Sequence, residues 1–392
     1  MTEKTNIQQG YKDSPLGIIP KEWEVKRLGE ICTFLDSQRI PIKDADRGKM
    51  QGKYPYYGAS GIIDYVNDYI FDDDLILLGE DGANIIMRST PLAFLVSGKV
   101  WINNHAHVLK TKSGFNRYYV CNYLESLSYD KYNTGTAQPK LNREVCEKIP
   151  VLLPPKKEQN RLSELFTTWD TAIEKQSELI EKLKLRKRAL MQQLLTGKKR
   201  LPGFSGEWRK IKAGELFTSS SIKGNPDEVL LSATQEYGVI PRDQLEGRVT
   251  MPKGNLGSFK LVEEGDFVIS LRSFQGGIEY SKYRGIVSPA YNVLKPIIEI
   301  DKAFYQFYFK SSDFIGHLAV AVIGIRDGKQ ISYDDFCFVK IPYPNIDEQK
   351  AISCILLQAD KEIELANEKL ARLQSQKRGL MQQLLTGKKR IK

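Results

Sequence analysis

Cysteine and histidine are scarce in this chain of 392 residues, with five of the first and three of the second. Cys32, Cys121, Cys146, Cys337 and Cys354 are scattered, odd in number and never spaced as CxxC. That excludes a disulfide framework and a zinc ribbon and leaves reduced structural thiols. His105, His107 and His317 do not combine with cysteine or carboxylate at metal-ligand spacing. His105 and His107 alternate on a strand pattern, so both are expected on one side as a satisfied surface pair rather than as ligands. Long apolar runs are missing: the longest, Leu318 to Ile325, has eight residues, against the roughly 18 of a membrane span. The polar amino-terminal stretch carries no signal-peptide core, so a soluble, cytoplasmic protein is expected. No phosphate loop GxxxxGK[ST], no GxSxG elbow and no GxGxxG is present. Nor is there an Asn/Asp-Pro-Pro-aromatic tetrapeptide, because Pro154-Pro155 lies between Leu153 and Lys156. The chain reads as catalysing nothing alone, with no cofactor or metal of its own.

What is present is a repeat. Leu190-Met191-Gln192-Gln193-Leu194-Leu195-Thr196-Gly197-Lys198-Lys199-Arg200 recurs unchanged as Leu380 to Arg390. A period of 190 residues is far longer than the roughly 20 to 50 of a solenoid and has the size of a domain plus a helix. Shorter matches extend the duplication: Glu22-Trp23 with Glu207-Trp208, Gly29-Glu30 with Gly214-Glu215, and Val108-Leu109-Lys110 with Val293-Leu294-Lys295. Lys148-Ile149-Pro150 likewise matches Lys340-Ile341-Pro342, and Glu158-Gln159 matches Glu348-Gln349. Between these anchors, residues 35–105 and 218–290 show little likeness. The net charge of +10 suits a polyanionic partner, since each neutralised phosphate releases counterions, yet a merely soluble basic surface explains it equally well.

The repeated segments read as long helices. Leu162, Leu165, Trp169, Ile173, Ile180, Leu183, Leu190 and Leu194 form one apolar stripe, and Ile352, Ile355, Ile363, Leu370, Leu373, Leu380 and Leu384 form the other. Pro154-Pro155 ends the preceding strand, Glu158 favours the helix start, and Gly197 or Gly387 followed by Lys-Lys-Arg supplies a carboxy-terminal cap with dipole-matched charge. A helix about 55 Å long cannot leave its stripe in water. The expected closure is an antiparallel pair forming a rod, rather than two helices packed only on their own domains. The expected domains are 1–155, a helix over 156–200, a second domain over 201–345, and a helix over 346–392.

The globular parts read as β-rich, giving an α+β fold with a pseudo-twofold internal repeat. Tyr54 to Gly61 is expected as an aromatic loop. Leu75–Leu78, Leu92–Val96 and the residues up to Leu109 are expected as strands, as are Val229–Ser232, Asp266–Ser270 and Tyr291–Leu294. Short helices are expected at Tyr118–Leu127 and Phe304–Phe309.

Assembled in this order, the parts resemble the specificity subunits of type I restriction–modification systems. The likeness covers essentially the whole chain. It rests on Glu22-Trp23 with Leu28-Gly29-Glu30, on Ile149-Pro150 through Pro154-Pro155 with Glu158-Gln159, and on the helix ending Leu194-Leu195-Thr196-Gly197, all repeated. It also rests on Tyr57-Gly58-Ala59-Ser60-Gly61, Gly265-Asp266-Phe267-Val268 and Ser288-Pro289-Ala290-Tyr291.

The resemblance implies a non-catalytic DNA-recognition subunit with two target recognition domains, each reading half of a bipartite site. Two modification subunits carrying S-adenosylmethionine would dock on the helices and methylate adenine. Two motor-nuclease restriction subunits using ATP and Mg would complete a site-specific deoxyribonuclease. In the first domain the expected readers are Tyr56, Tyr57, Ser60, Asn103, Asn104, His105 and His107, and in the second Thr234, Gln235, Arg272, Ser273, Gln275, Tyr291 and Asn292. Lys110, Lys112, Lys253 and Lys260 are expected to position phosphates, with Gln138, Lys140, Lys329 and Gln330 touching backbone from matched loops. Wall packing is the competing role for Tyr57 and Tyr291, and turn capping for Asn103 and Asn292. Met191, Gln192, Gln193, Met381, Gln382 and Gln383 are expected to dock the partners. A specificity subunit of a methyltransferase-only system and a DNA-independent coiled-coil scaffold are the alternatives.

Overall fold

A computed structural model describes residues 9–245, 256–271, 273–322 and 331–391. It divides into two compact units, Met1–Ser177 with Glu368–Lys392, and Glu178–Asn367. In chain order the first unit contains β1 (Glu24–Arg27), β2 (Cys32–Phe34), β3 (Gln51–Gly58), β4 (Gly61–Val66), β5 (Phe71–Gly79), β6 (Ala93–Ile102), β7 (Ala106–Thr111), α1 (Arg117–Ser126), β8 (Pro150–Leu153) and the start of α2 (Lys156–Leu194). Six of the strands form one sheet in the order β2-β7-β5-β6-β3-β4, antiparallel except where β3 meets β6. The run Leu75–Leu78 is buried without interruption because β5 is covered on both faces. Ile76 and Leu78 enter a core with Trp23, Leu28, Tyr119 and Phe166, while Leu75 and Leu77 enter another with Phe71, Val96 and Val108. Residues 54–58, expected as a loop, are strand instead. Their aromatic side chains favour a pleated surface, and Tyr56 and Tyr57 pair with β6 on one side while the hairpin partner β4 lies on the other.

The second unit contains β9 (Arg209–Lys212), β10 (Phe217–Ser220), β11 (Leu231–Thr234), β12 (Gly238–Pro241), β13 (Lys260–Val262), β14 (Phe267–Ile269), β15 (Glu279–Tyr280), β16 (Gly285–Val287), β17 (Asn292–Pro296), α3 (Lys302–Tyr308), α4 (Ser312–Val322), β18 (Lys340–Tyr343) and the start of α5 (Ile346–Leu384). Its sheets are smaller: a four-stranded sheet in the order β10-β17-β14-β15, with the pairs β11-β12 and β13-β16. The core is aromatic, and the Phe217 ring lies 5.5 Å from Phe267, 5.6 Å from Tyr305 and 5.5 Å from Phe309.

The sequence anchors are the parts that fold alike. β1 pairs antiparallel with β8, and β9 with β18 in the same way, so the strand that follows each repeated Glu-Trp pairs with the strand that carries or follows each repeated Ile-Pro. The repeated glycines mark close approach: a Cβ on Gly29 would lie 3.2 Å from Glu147, and one on Gly214 would lie 3.0 Å from Cys337.

Both long helices have 39 residues, and each packs partly on its own domain, the arrangement that was not expected, and partly against the other helix. The first turns pack on the preceding domain, through Leu162 and Phe166 in α2 and Ile352 and Leu356 in α5. The last turns enter the core of the other unit, with Leu194 and Leu195 in the second and Met381, Leu384 and Leu385 in the first. Within each unit the two helical stretches run antiparallel. Lys377 pairs with Asp170 in the first unit, and the repeat mates Lys187 and Asp360 pair in the second. The compact units therefore cut across the linear boundaries expected at 155, 200 and 345.

Candidate nucleic-acid interface

The duplicated Glu-Gln opens each long helix and is buried in both copies. Gln159 Nε2 donates to Pro154 O at 2.9 Å while its Oε1 accepts from Asn116 N at 3.0 Å; Asn116 caps α1. Gln349 repeats this with Pro344 O at 2.8 Å and with Asp301 N at 2.9 Å, Asp301 being the cap of α3. Each glutamine thus ties the long helix to the helix of its own domain.

The glutamates do something different. Glu158 Oε2 accepts from Trp23 Nε1 at 3.2 Å and from Arg390 Nη2 at 2.8 Å. Glu348 accepts from Trp208 Nε1 at 2.9 Å and from Arg200 Nε and Nη2 at 2.6 and 2.7 Å. Hydrogen bonds from Arg390 to Glu158 and Glu22 hold this guanidinium charged beyond its ordinary range. Arg200 and Arg390 were expected only to complement a helix dipole; they are bidentate partners of buried carboxylates. Gly197 and Gly387 do cap their helices, each at φ 70°. A Cβ on Gly387 would also lie 2.5 Å from Pro20, and one on Gly197 would lie 3.2 Å from the Trp208 ring. The signal for this cluster was in the repeat, which returns Trp, Glu and Arg together.

In the first unit the expected readers gather at the end of β5. Asn103 N donates to Tyr57 O at 3.0 Å, Glu80 N to His105 O at 2.9 Å, Leu141 N to Glu80 O at 2.7 Å and Gly82 N to Pro139 O at 3.1 Å. A Cβ on Gly79 would lie 2.9 Å from Ala59 O, so only glycine lets the β3–β4 turn come this close. Ser60, Asn104, His105, Gln138 and Lys140 are exposed around this point. Arg39 underpins them, its Nη1 donating to Glu80 Oε2 at 2.7 Å, Ala106 O at 2.8 Å and Asn104 O at 3.3 Å.

Three expected readers lie inside. Tyr56 is 1% exposed with its hydroxyl accepting from Ile42 N, and Asn103 is 4% exposed with Oδ1 capping His105 N. His107 is 1% exposed. The surface pair expected of His105 and His107 is not formed. β7 begins at Ala106 and turns His107 inward, leaving His105 outside against Asp81 at 2.9 Å. His107 Nδ1 lies 2.7 Å from Asp36 Oδ2 and Nε2 lies 2.8 Å from Leu141 O. Burial alone would lower its pKa, but the Asp36 and Cys146 neighbours outweigh it and raise it to about 10. Burial likewise pushes Asp36 up, and the hydrogen bond and charge of His107, with the Val108 amide and Arg39, hold it below its usual range. Tyr57 is half-buried against Phe94. Lys110 pairs with Asp73, and Lys112 Nζ donates to Gly29 O and Glu30 O, so neither is a free cation in a groove.

The second unit offers a cleft of about 1080 Å³ that brings Thr234, Gln235 and Tyr291 together. Residues not singled out from the sequence line it as well, among them Tyr237, Gln244, Lys282 and Tyr283. Thr234 Oγ1 accepts from Tyr237 N at 3.0 Å and donates to Gly238 O at 2.9 Å, closing the β11–β12 turn. Gln275 is exposed and Asn292 half-buried, outside that lining. Ser273 is 1% exposed, its hydroxyl accepting from Ser270 N, and Lys260 Nζ donates to Tyr291 O; neither lines the cleft. Lys253, Arg272, Lys329 and Gln330 lie outside the described residues.

Beneath the cleft, Lys310 Nζ donates to Gly276 O at 2.9 Å and Gln235 O at 3.3 Å and lies 2.6 Å from Glu279 Oε2 in an ion pair. Burial raises the Glu279 carboxyl to about 7 against the opposing charge of Lys310.

Of the expected docking residues, Gln192, Gln193, Gln382 and Gln383 are exposed, but Met381 is 6% exposed and Met191 is partly buried. The methionines fill the cores of the units that the helix ends complete. No described helix is long and apolar enough to cross a membrane.

Comparison with known proteins agrees with this architecture. The family profile described as type I restriction modification DNA specificity domain matches residues 20–185 and again 205–375. The chain is 26% identical over 437 residues to the type I restriction enzyme MjaVIII specificity subunit of Methanocaldococcus jannaschii, covering 98% of each. It is 31% identical over 145 residues to a putative type I restriction enzyme specificity subunit of Haemophilus influenzae, covering 37% of each. The fold is similar to a crystal structure of the type I restriction–modification S subunit from M. genitalium, with a TM-score of 0.56 at 14% identity, covering 97% of this chain and 98% of that one.

Proposed function

The chain belongs to the family of type I restriction–modification DNA specificity subunits, and from that membership we propose how its two units divide the work. It is the DNA sequence-recognition subunit of its complex. Each unit reads one half of a bipartite target, and the long helices set the separation of the halves, near one duplex turn of about 34 Å or a multiple of it. The observation that carries this reading is the contrast between parts. Two globular bodies with different sheets and different exposed loops stand on closing elements repeated residue for residue.

In the first unit the readers are Ser60, Asn104, His105, Gln138 and Lys140, with Tyr57 as a wall; in the second they are Thr234, Gln235, Gln275, Tyr291 and Asn292. Side chains with paired donors and acceptors suit base edges, and lysine suits phosphate. The chemistry belongs to partners. Two modification subunits bring S-adenosylmethionine to an adenine drawn out of the duplex, docking beside Gln192, Gln193, Gln382 and Gln383. Two restriction subunits bring ATP- and Mg-dependent cleavage. The working site is cytoplasmic, where the five free cysteines stay reduced.

The test is methylome sequencing of a host that expresses this chain with its modification subunit. A split motif with a methylated adenine in each half is expected. An unbroken motif, or none, would overturn the reading.

A further inference from the structure

We propose that the cleft of the second unit is where that unit takes its half of the DNA target, and that Lys310 is the positioning residue that sets the cleft's width. This rests on the reading that each unit recognises one half-site.

One wall of the cleft is held by specific bonds. The β11–β12 turn, closed internally by Thr234, forms one side and carries Gln235 and Tyr237. Gly238 sits in this turn at φ 75°, where a Cβ would lie 2.7 Å from Tyr280 O, so the turn is seated directly on β15. Ser270 and Leu271 also line the cleft, and the short helix Ser273–Gly276 lies near them in the chain. One ammonium group bridges the turn and that helix, donating to the carbonyl of Gln235 and to the carbonyl of Gly276. At that bridge a Cβ on Gly276 would lie 2.6 Å from Gln235 Cγ, so turn and helix already touch.

Lys310 is itself held. Glu279, 1% exposed, supplies the opposite charge, and removing either partner leaves the other charged group short of compensation. The Lys310 ammonium is thus engaged by a carboxylate and two carbonyls of the fold.

The lining suits nucleic acid. The exposed amide of Gln244 and the phenols of Tyr237 and Tyr283 offer donor and acceptor atoms for base edges, and Lys282 offers a phosphate contact. A site for a small apolar ligand would be lined mostly by aliphatic and aromatic carbon. Tyr237 is 65% exposed and lines the cleft.

The test uses the full chain with its modification subunit and duplexes carrying the target found by methylome sequencing, each half scrambled in turn. Tyr237→Ala and Lys310→Met should each lose about tenfold or more of the preference for one and the same half, the effect of a misread base pair. The preference for the other half should stay within about twofold of wild type, and Lys310→Arg should recover part of the loss. Tyr237 is exposed and belongs to neither buried cluster of the second unit's sheets, so Tyr237→Ala reads the cleft even if Lys310→Met folds poorly. A wild-type chain indifferent to scrambling would refute half-site reading itself. A wild-type chain that discriminates, beside variants that discriminate equally well, would refute the cleft alone.

Discussion

At the scale of single residues, His107 shows how a buried charge can hold a recognition surface from below. Its two ring nitrogens face a carboxylate and a carbonyl, both acceptors, so only the doubly protonated ring satisfies both. The ring joins the Asp36 segment to Leu141, beside the loop carrying Gln138 and Lys140. With the folded pKa raised to about 10, its stabilisation is complete below the unfolded value of about 6.5 and is lost as pH rises through about 10. The expected outcome is a first unit that weakens across that window, with His107 doubly protonated at pH 8 by nitrogen NMR. A ring titrating near 6.5 would contradict it. This site also shows the reach of sequence patterning. That a strand runs up to Leu109 was legible, but which of two histidines turns inward depends on that strand beginning at Ala106, a one-residue matter that side-chain alternation magnifies. For the same reason Tyr56 and Tyr57 were indistinguishable in the sequence, although one is core and the other wall.

At the scale of elements, the helices were the most legible part of the chain. Their stripes, stops and glycine caps are local features, and local features survive in sequence. The repeat returned Trp, Glu and Arg together, but which of them bond was not legible, because Arg200 and Arg390 bond residues 148 and 232 positions away. Removing one partner from a buried pair typically costs about 3–5 kcal/mol. Arg200→Ala should therefore destabilise the second unit by about 3 kcal/mol. Arg390→Ala should cost the first unit about 2 kcal/mol, less because its side chain is 36% exposed and partly screened. Hydrogen exchange resolved by peptide should show each loss confined to its own unit. A loss spread evenly over both, or confined to the wrong one, would contradict the assignment.

At the scale of the whole molecule, neither compact unit is built from one repeat. The first takes its globular part from residues up to Ser177 and its closing helical turns from Glu368 onward, while the second needs the end of α2. A protease site inserted between Pro202 and Gly203, both exposed, should therefore give two fragments that co-elute after cleavage and part only in denaturant. Fragments that separate freely under native conditions would show that the shared cores contribute little. The same interleaving bears on synthesis. When Ser177 leaves the ribosome, the first unit still lacks Met381, Leu384, Leu385 and Arg390, and roughly 210 further residues must be made before Arg390 is in place. At about 5–20 residues per second that is a wait of about ten to forty seconds, during which Trp23 and Glu158 have no arginine to close over them. The body translated first is completed last, and its exposure to chaperones and proteases is set by the clock of translation.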